Sequence, residues 1–276
     1  MAHDSPSQGG MTLAPDQLDA YLAKIGVNQP VSLDHDSLSK LHRAHLMTFT
    51  WEALDAFMGW PSSIAPKMVK GQRGGWCYEM NGLFGAALDA LGFRVTRLCS
   101  GVNREILGDA VIGNHLSLRV DLDRPYLAEV GLSDAIVEPV PLAPGPISQR
   151  GFDFSIMPTD DGWLRFRNHT RGMAHSFDFR PDYSDEIAIS SMLGWLTQDP
   201  GSPFTNALAI LRHTPNGYVG LKNDCLCRVT ADSTTEQRIS SADQLADTFA
   251  TIFHIDVPLY EGVWEKIETL RGEATI

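Results

Sequence analysis

Over residues 1–92 the apolar positions recur at helical spacing. Leu18, Tyr21, Leu22 and Ile25 share one face. Leu38, Leu41, His45 and Leu46 share another, behind Asp36 or Ser37 as a helix N-cap. Met80, Leu83, Phe84, Ala87 and Leu91 form a third stripe that stops at Gly92, a residue suited to closing a helix. The period then changes to alternation. Leu116, Leu118, Val120 and Leu122 alternate with Ser117, Arg119 and Asp121; the turn signal Asp123-Arg124-Pro125 follows, and Tyr126 to Val130 reads as the returning strand. The Pro-rich run from Pro139 to Pro146 reads as an irregular surface crossing. Ile187 to Leu196 fits either a helix or a buried strand. A hairpin pattern surrounds Gly220 to Arg228, and Ser241 to Phe253 predicts a last helix. Helices first, strands next and a mixed end segment point to an α+β fold rather than a doubly wound parallel sheet.

The 276 residues suggest two or three subdomains. Apolar residues at 43% and charged residues at 20% are an ordinary globular balance. No run approaches the roughly 18–20 apolar residues of a membrane helix. The start, Met1 to Gly10, lacks the features of a secretory signal and reads as a short leader. A net charge of −12 argues against nucleic acid as a partner. The four cysteines, Cys77, Cys99, Cys225 and Cys227, have neither disulfide-framework nor zinc spacing. They read as thiols of a reducing, cytoplasmic compartment, and no metal is expected.

One cysteine differs from the rest. In Arg73-Gly74-Gly75-Trp76-Cys77-Tyr78-Glu79-Met80-Asn81-Gly82 two glycines, read as a flexible hinge, precede an amphipathic helix, so Cys77 falls at the helix start. Unpaired N–H groups there favour negative charge on sulfur and could receive an oxyanion; Arg73 adds positive charge. A thiolate nucleophile calls for a histidine. Of nine, His115 begins a strand and projects away from Leu116 and Leu118, whereas His3, His35, His42 and His45 have bland helical, capping or leader settings. A carboxylate should orient the imidazole. Pairing about Asp123-Arg124-Pro125 sets Glu129 opposite Arg119, on His115's face but diagonal to it; Asp121 and Asp134 are rivals.

These residues resemble the arylamine N-acetyltransferases over nearly the whole chain. Leu41-His42-Arg43-Ala44-His45, Trp51-Glu52-Ala53-Leu54, the Cys77 segment, His115-Leu116, Glu129-Val130-Gly131, Phe177-Asp178-Phe179 and Ser202-Pro203-Phe204 follow the family's landmarks in order. The resemblance implies a helical bundle (1–92), a central β-barrel (93–200) and a C-terminal α/β lid (201–276). It implies a catalytic triad of Cys77, His115 and Glu129, with Glu where the family has Asp. Glu adds roughly 1.5 Å of reach that the backbone or the rotamer must absorb. Acetyl-CoA or another acyl-CoA would acylate Cys77, and an arylamine, hydrazine or related amine would take the acyl group. Gly131 and Asn114 would lie by the CoA arm; Trp51, Leu132 and Phe204 would shape the acceptor pocket. Three other readings stay open: an amide synthase that releases or cyclises a polyketide from a carrier protein, a cysteine amidase or hydrolase, and a binding protein without turnover.

Overall fold

A computed structural model describes residues 10–273, so the expected leader lies outside the described residues apart from Gly10. The N-terminal stripes become helices α1 (Pro15–Ile25) and α2 (His35–Thr48). Asp34 caps α2, its carboxylate accepting from Ser37 N–H at 2.8 Å. The cap therefore stands just before the positions expected, because Asp36 and Ser37 are already helical. A two-residue strand β1 (Trp51–Glu52), helix α3 (Leu54–Met58) and a π-helical turn (Ala65–Lys70) lead to α4 (Cys77–Ala90).

The central part is an eight-stranded antiparallel sheet. It contains β2 (Arg94–Val102), β3 (His115–Asp121), β4 (Pro125–Leu127), β5 (Val140–Pro141), β6 (Gly145–Gln149), β7 (Phe152–Pro158), β8 (Leu164–Arg167) and β9 (Ser176–Phe179), in the order β5-β4-β3-β2-β9-β8-β7-β6. The short helix α5 (Arg104–Leu107) links β2 and β3. The Pro-rich crossing is thus not irregular: it supplies β5 and β6, where prolines sit at the two sheet edges and leave no interior ladder bond unmade. Ile187 to Leu196 is helical, within α6 (Glu186–Gln198), and α7 (Pro203–Asn206) follows.

The C-terminal sheet runs β1-β10-β11-β12-β13, with β10 (Ala209–Thr214), β11 (Gly217–Lys222), β12 (Cys225–Thr230) and β13 (Thr234–Arg238). Its first strand is β1, so Trp51 pairs with Leu211 and Glu52 with Ile210. The expected last helix is α8 (Ala242–Thr248) continued by a π-helical turn (Phe249–Phe253), and a further helix α9 (Tyr260–Glu273) follows. One apolar core joins the helical and barrel parts; a second, around Phe57, Ile210, Leu221, Phe249 and Phe253, binds the C-terminal sheet to its helices. The whole is the expected α+β arrangement of helical bundle, barrel and α/β lid.

Candidate active site

Cys77 is the first residue of α4, and its thiol is buried, with Sγ 4.0 Å from the Asn114 carbonyl. The glycines before it are not a flexible hinge. Gly75 N–H donates to Thr50 O and Glu52 N–H donates to Gly75 O. A Cβ on Gly74 would stand 1.6 Å from Thr50 O, so only glycine lets the two chains run this close. Glu79 then accepts from Trp76 N–H, closing the first turn of α4 from its third position.

Beneath that turn lies a buried charge network. Arg73 grips Glu52 through Nε and Nη2 (2.8 and 3.0 Å) and Asp55 through Nη2 (2.9 Å). Lys67 donates to Asp55 at 2.7 Å and to both Glu79 oxygens at 2.8 Å. Burial pushes the Glu79 carboxyl up even against the pull of Lys67. Arg73 therefore spends its charge on Glu52 and Asp55 and anchors the Cys77 turn; its positive charge does not stand open beside the thiol. Lys67, Asp55 and Glu79 escaped the sequence reading. The one local signal was Glu79, three residues after the cap.

His115 Nε2 lies 3.0 Å from Glu129 Oε2, and both residues are buried. Asp121 is held by Arg119, while Asp134 accepts from Asn168 and from Met173 N–H, so the rival carboxylates are occupied elsewhere. The diagonal expected for Glu129 is shorter because the turn sits one residue earlier in the chain. Asp121 pairs with Pro125 and Arg119 with Leu127, which moves Glu129 two residues closer to His115. The strand has ended by then, and the carboxylate curls back on its own chain. Oε1 accepts from Gly131 N–H at 2.6 Å, Leu132 N–H at 2.8 Å and Asn81 Nδ2 at 2.8 Å. This curl lets the long Glu side chain fold back on its own loop.

Burial disfavours an imidazolium at His115, but the charge of Glu129 and the bonds to Cys77 and Glu129 outweigh it and hold the ring up at about 10. Burial likewise works against the Glu129 carboxylate, yet the His115 charge and the bonds from His115, Asn81 and Gly131 keep it below the ordinary range. With Nε2 committed to Glu129, Nδ1 is the nitrogen left for the thiol. The chain thus brings together a thiol at a helix N-terminus, an imidazole and a fully bonded carboxylate.

Comparison with known proteins gives the family over most of the chain. The N-acetyltransferase family model matches residues 34–261. The arylamine N-acetyltransferase of Mycolicibacterium smegmatis is 28% identical over 255 residues, covering 87% of this chain and 92% of that protein. Proansamycin X synthase of Amycolatopsis mediterranei is 30% identical over 222 residues, covering 74% and 84%. The structure of Mycobacterium marinum arylamine N-acetyltransferase in complex with CoA superposes with a TM-score of 0.82 at 25% identity, covering 92% of this chain and 99% of that one. The chain belongs to the N-acetyltransferase family.

As an acetyltransferase it can be read further around the thiol. Gly131 packs against the start of α4: a Cβ there would lie 2.8 Å from Cys77 Cα and 2.3 Å from Asn81 Nδ2. Its carbonyl accepts from Trp51 Nε1 at 2.8 Å. Asn114 uses its side-chain amide to bond Val102 N–H and O, so it presents only its carbonyl to the thiol. Trp51 and Phe204 rings are 6.1 Å apart, and Phe204 meets Trp76 edge-on at 4.9 Å. Leu132 is buried in the main core. A cleft of about 1070 Å³ reaches Trp76 and Tyr78, on either side of Cys77, without reaching Cys77, His115 or Glu129. Among the described residues no helix is long and apolar enough to cross a membrane.

Proposed function

We propose that the enzyme transfers an acetyl group from acetyl-CoA to an arylamine by a ping-pong reaction through a Cys77 thioester. His115 already holds the thiol proton on Nδ1, so the sulfur attacks the thioester carbonyl as a thiolate. The resulting oxyanion meets the free N–H groups at the start of α4, which supply donors without reorganisation. CoA leaves with the proton from His115. The amine then attacks the Cys77 thioester, His115 takes its proton and returns it to sulfur, and the N-acetylated amine departs. Glu129 orients the ring and offsets the charge of the imidazolium. The arrangement that carries this reading is the His115–Glu129 pair, 3.0 Å apart, set against a cysteine that opens a helix.

In this scheme residues 1–92 supply the nucleophile, 93–200 the histidine and acid, and 201–276 a lid, in a reducing cytoplasmic compartment that keeps Cys77 a thiol. The CoA arm passes Gly131 and the Asn114 carbonyl, while Trp51, Leu132 and Phe204 border the acceptor. The CoA complex of the M. marinum relative supports the donor. The likeness to proansamycin X synthase favours one second reading, amide formation on a larger acyl chain carried by the same cysteine. Initial rates with acetyl-CoA and an arylamine varied together test the scheme. Parallel double-reciprocal lines are expected; lines that intersect would remove the free acyl-enzyme.

A further inference from the structure

The loop that carries Glu129 is gripped at its far end by a histidine from the helical bundle. His42, on α2 and fully buried, lies with Nδ1 2.9 Å from the Val137 carbonyl. A carbonyl only accepts, so the proton sits on Nδ1 and the lone pair on Nε2. That Nε2 is buried and has no well-formed hydrogen bond among the described residues, although the Glu129 backbone also interacts with the ring. The ring stands edge-on to Phe84 of α4, 5.7 Å between centroids, so it cannot swing aside without opening the core. The ring faces the carboxylates Glu129 and Glu138 and the imidazoles His45 and His213. Burial holds it well below the ordinary imidazole value, at about 4, so it is neutral at working pH. Neutrality matters, because a second cation here would compete with His115 for the Glu129 charge.

The loop has other ties. Gln149 takes the Val137 and Glu138 N–H groups, Arg43 holds Glu138 at the half-exposed surface, His169 Nε2 lies 3.1 Å from the Asp134 carbonyl, and Trp51 donates to the Gly131 carbonyl. His42 is the tie that reaches Val137 from α2 and packs against α4, the helix that also carries Cys77 and, through Asn81, bonds Glu129. We propose that His42 is a positioning residue for the triad acid: by holding Val137 it sets where the Glu129 carboxylate stands relative to His115. The proposal rests on the reading of Cys77, His115 and Glu129 as the catalytic set.

The test uses three variants of the full chain. In His42→Asn the amide N–H takes the place of Nδ1–H. In His42→Phe the volume is filled without a donor, and in His42→Gln the amide overshoots Val137. Each is assayed for kcat and KM with acetyl-CoA and an arylamine, and for the far-downfield proton resonance of the His115 Nε2–H. A carboxylate displaced by the order of 1 Å costs up to ~100-fold in rate. His42→Phe is therefore expected to lower kcat about ten- to a hundredfold with KM for acetyl-CoA within about twofold, and to shift the resonance. His42→Asn restores most of both. If His42→Phe fails to fold, His42→Gln against His42→Asn makes the same comparison. A donor-less or overshooting variant with wild-type kcat and an unmoved resonance overturns the proposal, as does a loss that His42→Asn does not repair. A wild-type enzyme that never acetylates Cys77 strikes the underlying reading instead.

Discussion

Gly131→Ala tests how tightly the acid loop is fitted to the nucleophile helix. The new methyl would stand 2.3 Å from Asn81 Nδ2, 2.8 Å from Cys77 Cα and 2.9 Å from Cys77 O. The Asn81 amide can rotate away, but the Cys77 backbone cannot, because the first turn of α4 is tied to Thr50, Glu52 and Glu79 below it. Relief must come from separating the loop and the helix or from losing Asn81, which bonds Leu116 O, Glu129 Oε1 and Val130 N–H. Overpacking of this kind costs about 1–3 kcal/mol. In a chain of this size that is a fall of roughly 2–12 °C in Tm. The catalytic loss should be larger in proportion, since movement of the thiol by the order of 1 Å costs up to ~100-fold. Thermal unfolding with kcat/KM for acetyl transfer gives both readouts. A variant with wild-type Tm and wild-type kcat/KM would refute the close fit.

Further outcomes follow from the same geometry. Glu129→Gln keeps an acceptor for Gly131, Leu132 and Asn81 but turns an N–H towards His115 Nε2, forcing the wrong tautomer; acylation should slow by about tenfold or more, read in single-turnover kinetics. Arg73→Met leaves Glu52 buried without its partner and should cost about 3–5 kcal/mol in urea unfolding, with Arg73→Lys intermediate. Burial holds His42 down at about 4 and His45 and His213 at about 3, so the unfolded chain binds more protons in acid. Their contribution is complete above the unfolded value near pH 6.5 and is lost as pH falls towards 4. Three such groups give a slope of roughly 4 kcal/mol per pH unit below about pH 6. His115, raised by Glu129, acts on the alkaline side, and His169, also lowered by burial, adds to the acid limb. Urea midpoints that stay level from pH 7 to pH 5 would contradict it.

The elements of the site were legible because each carries a local signature. Cys77 opens an apolar stripe, His115 opens the polar face of an alternating strand, and Glu129 follows a turn. What could not be read was how they meet. Two residues of register decide whether Glu129 reaches His115, and register depends on the turn closing between Asp121 and Pro125, which hydrophobic alternation does not fix. The way the Glu129 carboxylate is held was hidden too, since it rests on N–H groups of Gly131 and Leu132 that only a broken strand exposes. Gly74 and Gly75 suggested flexibility; close approach of the Thr50 chain is a tertiary fact. The charge network under Cys77 joins residues distant in sequence, Lys67, Asp55 and Glu52, so no spacing announces it. His42 and His45 read as polar helix residues, yet both are fully buried, and only the folded core shows His42 at work on Val137.

The account turns on one covalent event. Intact-protein mass spectrometry after mixing with acetyl-CoA, without an amine, should show the mass of one acetyl group, lodged on the peptide containing Cys77 and released when an arylamine is added. An unmodified protein whose acetyl transfer survives Cys77→Ser would contradict it.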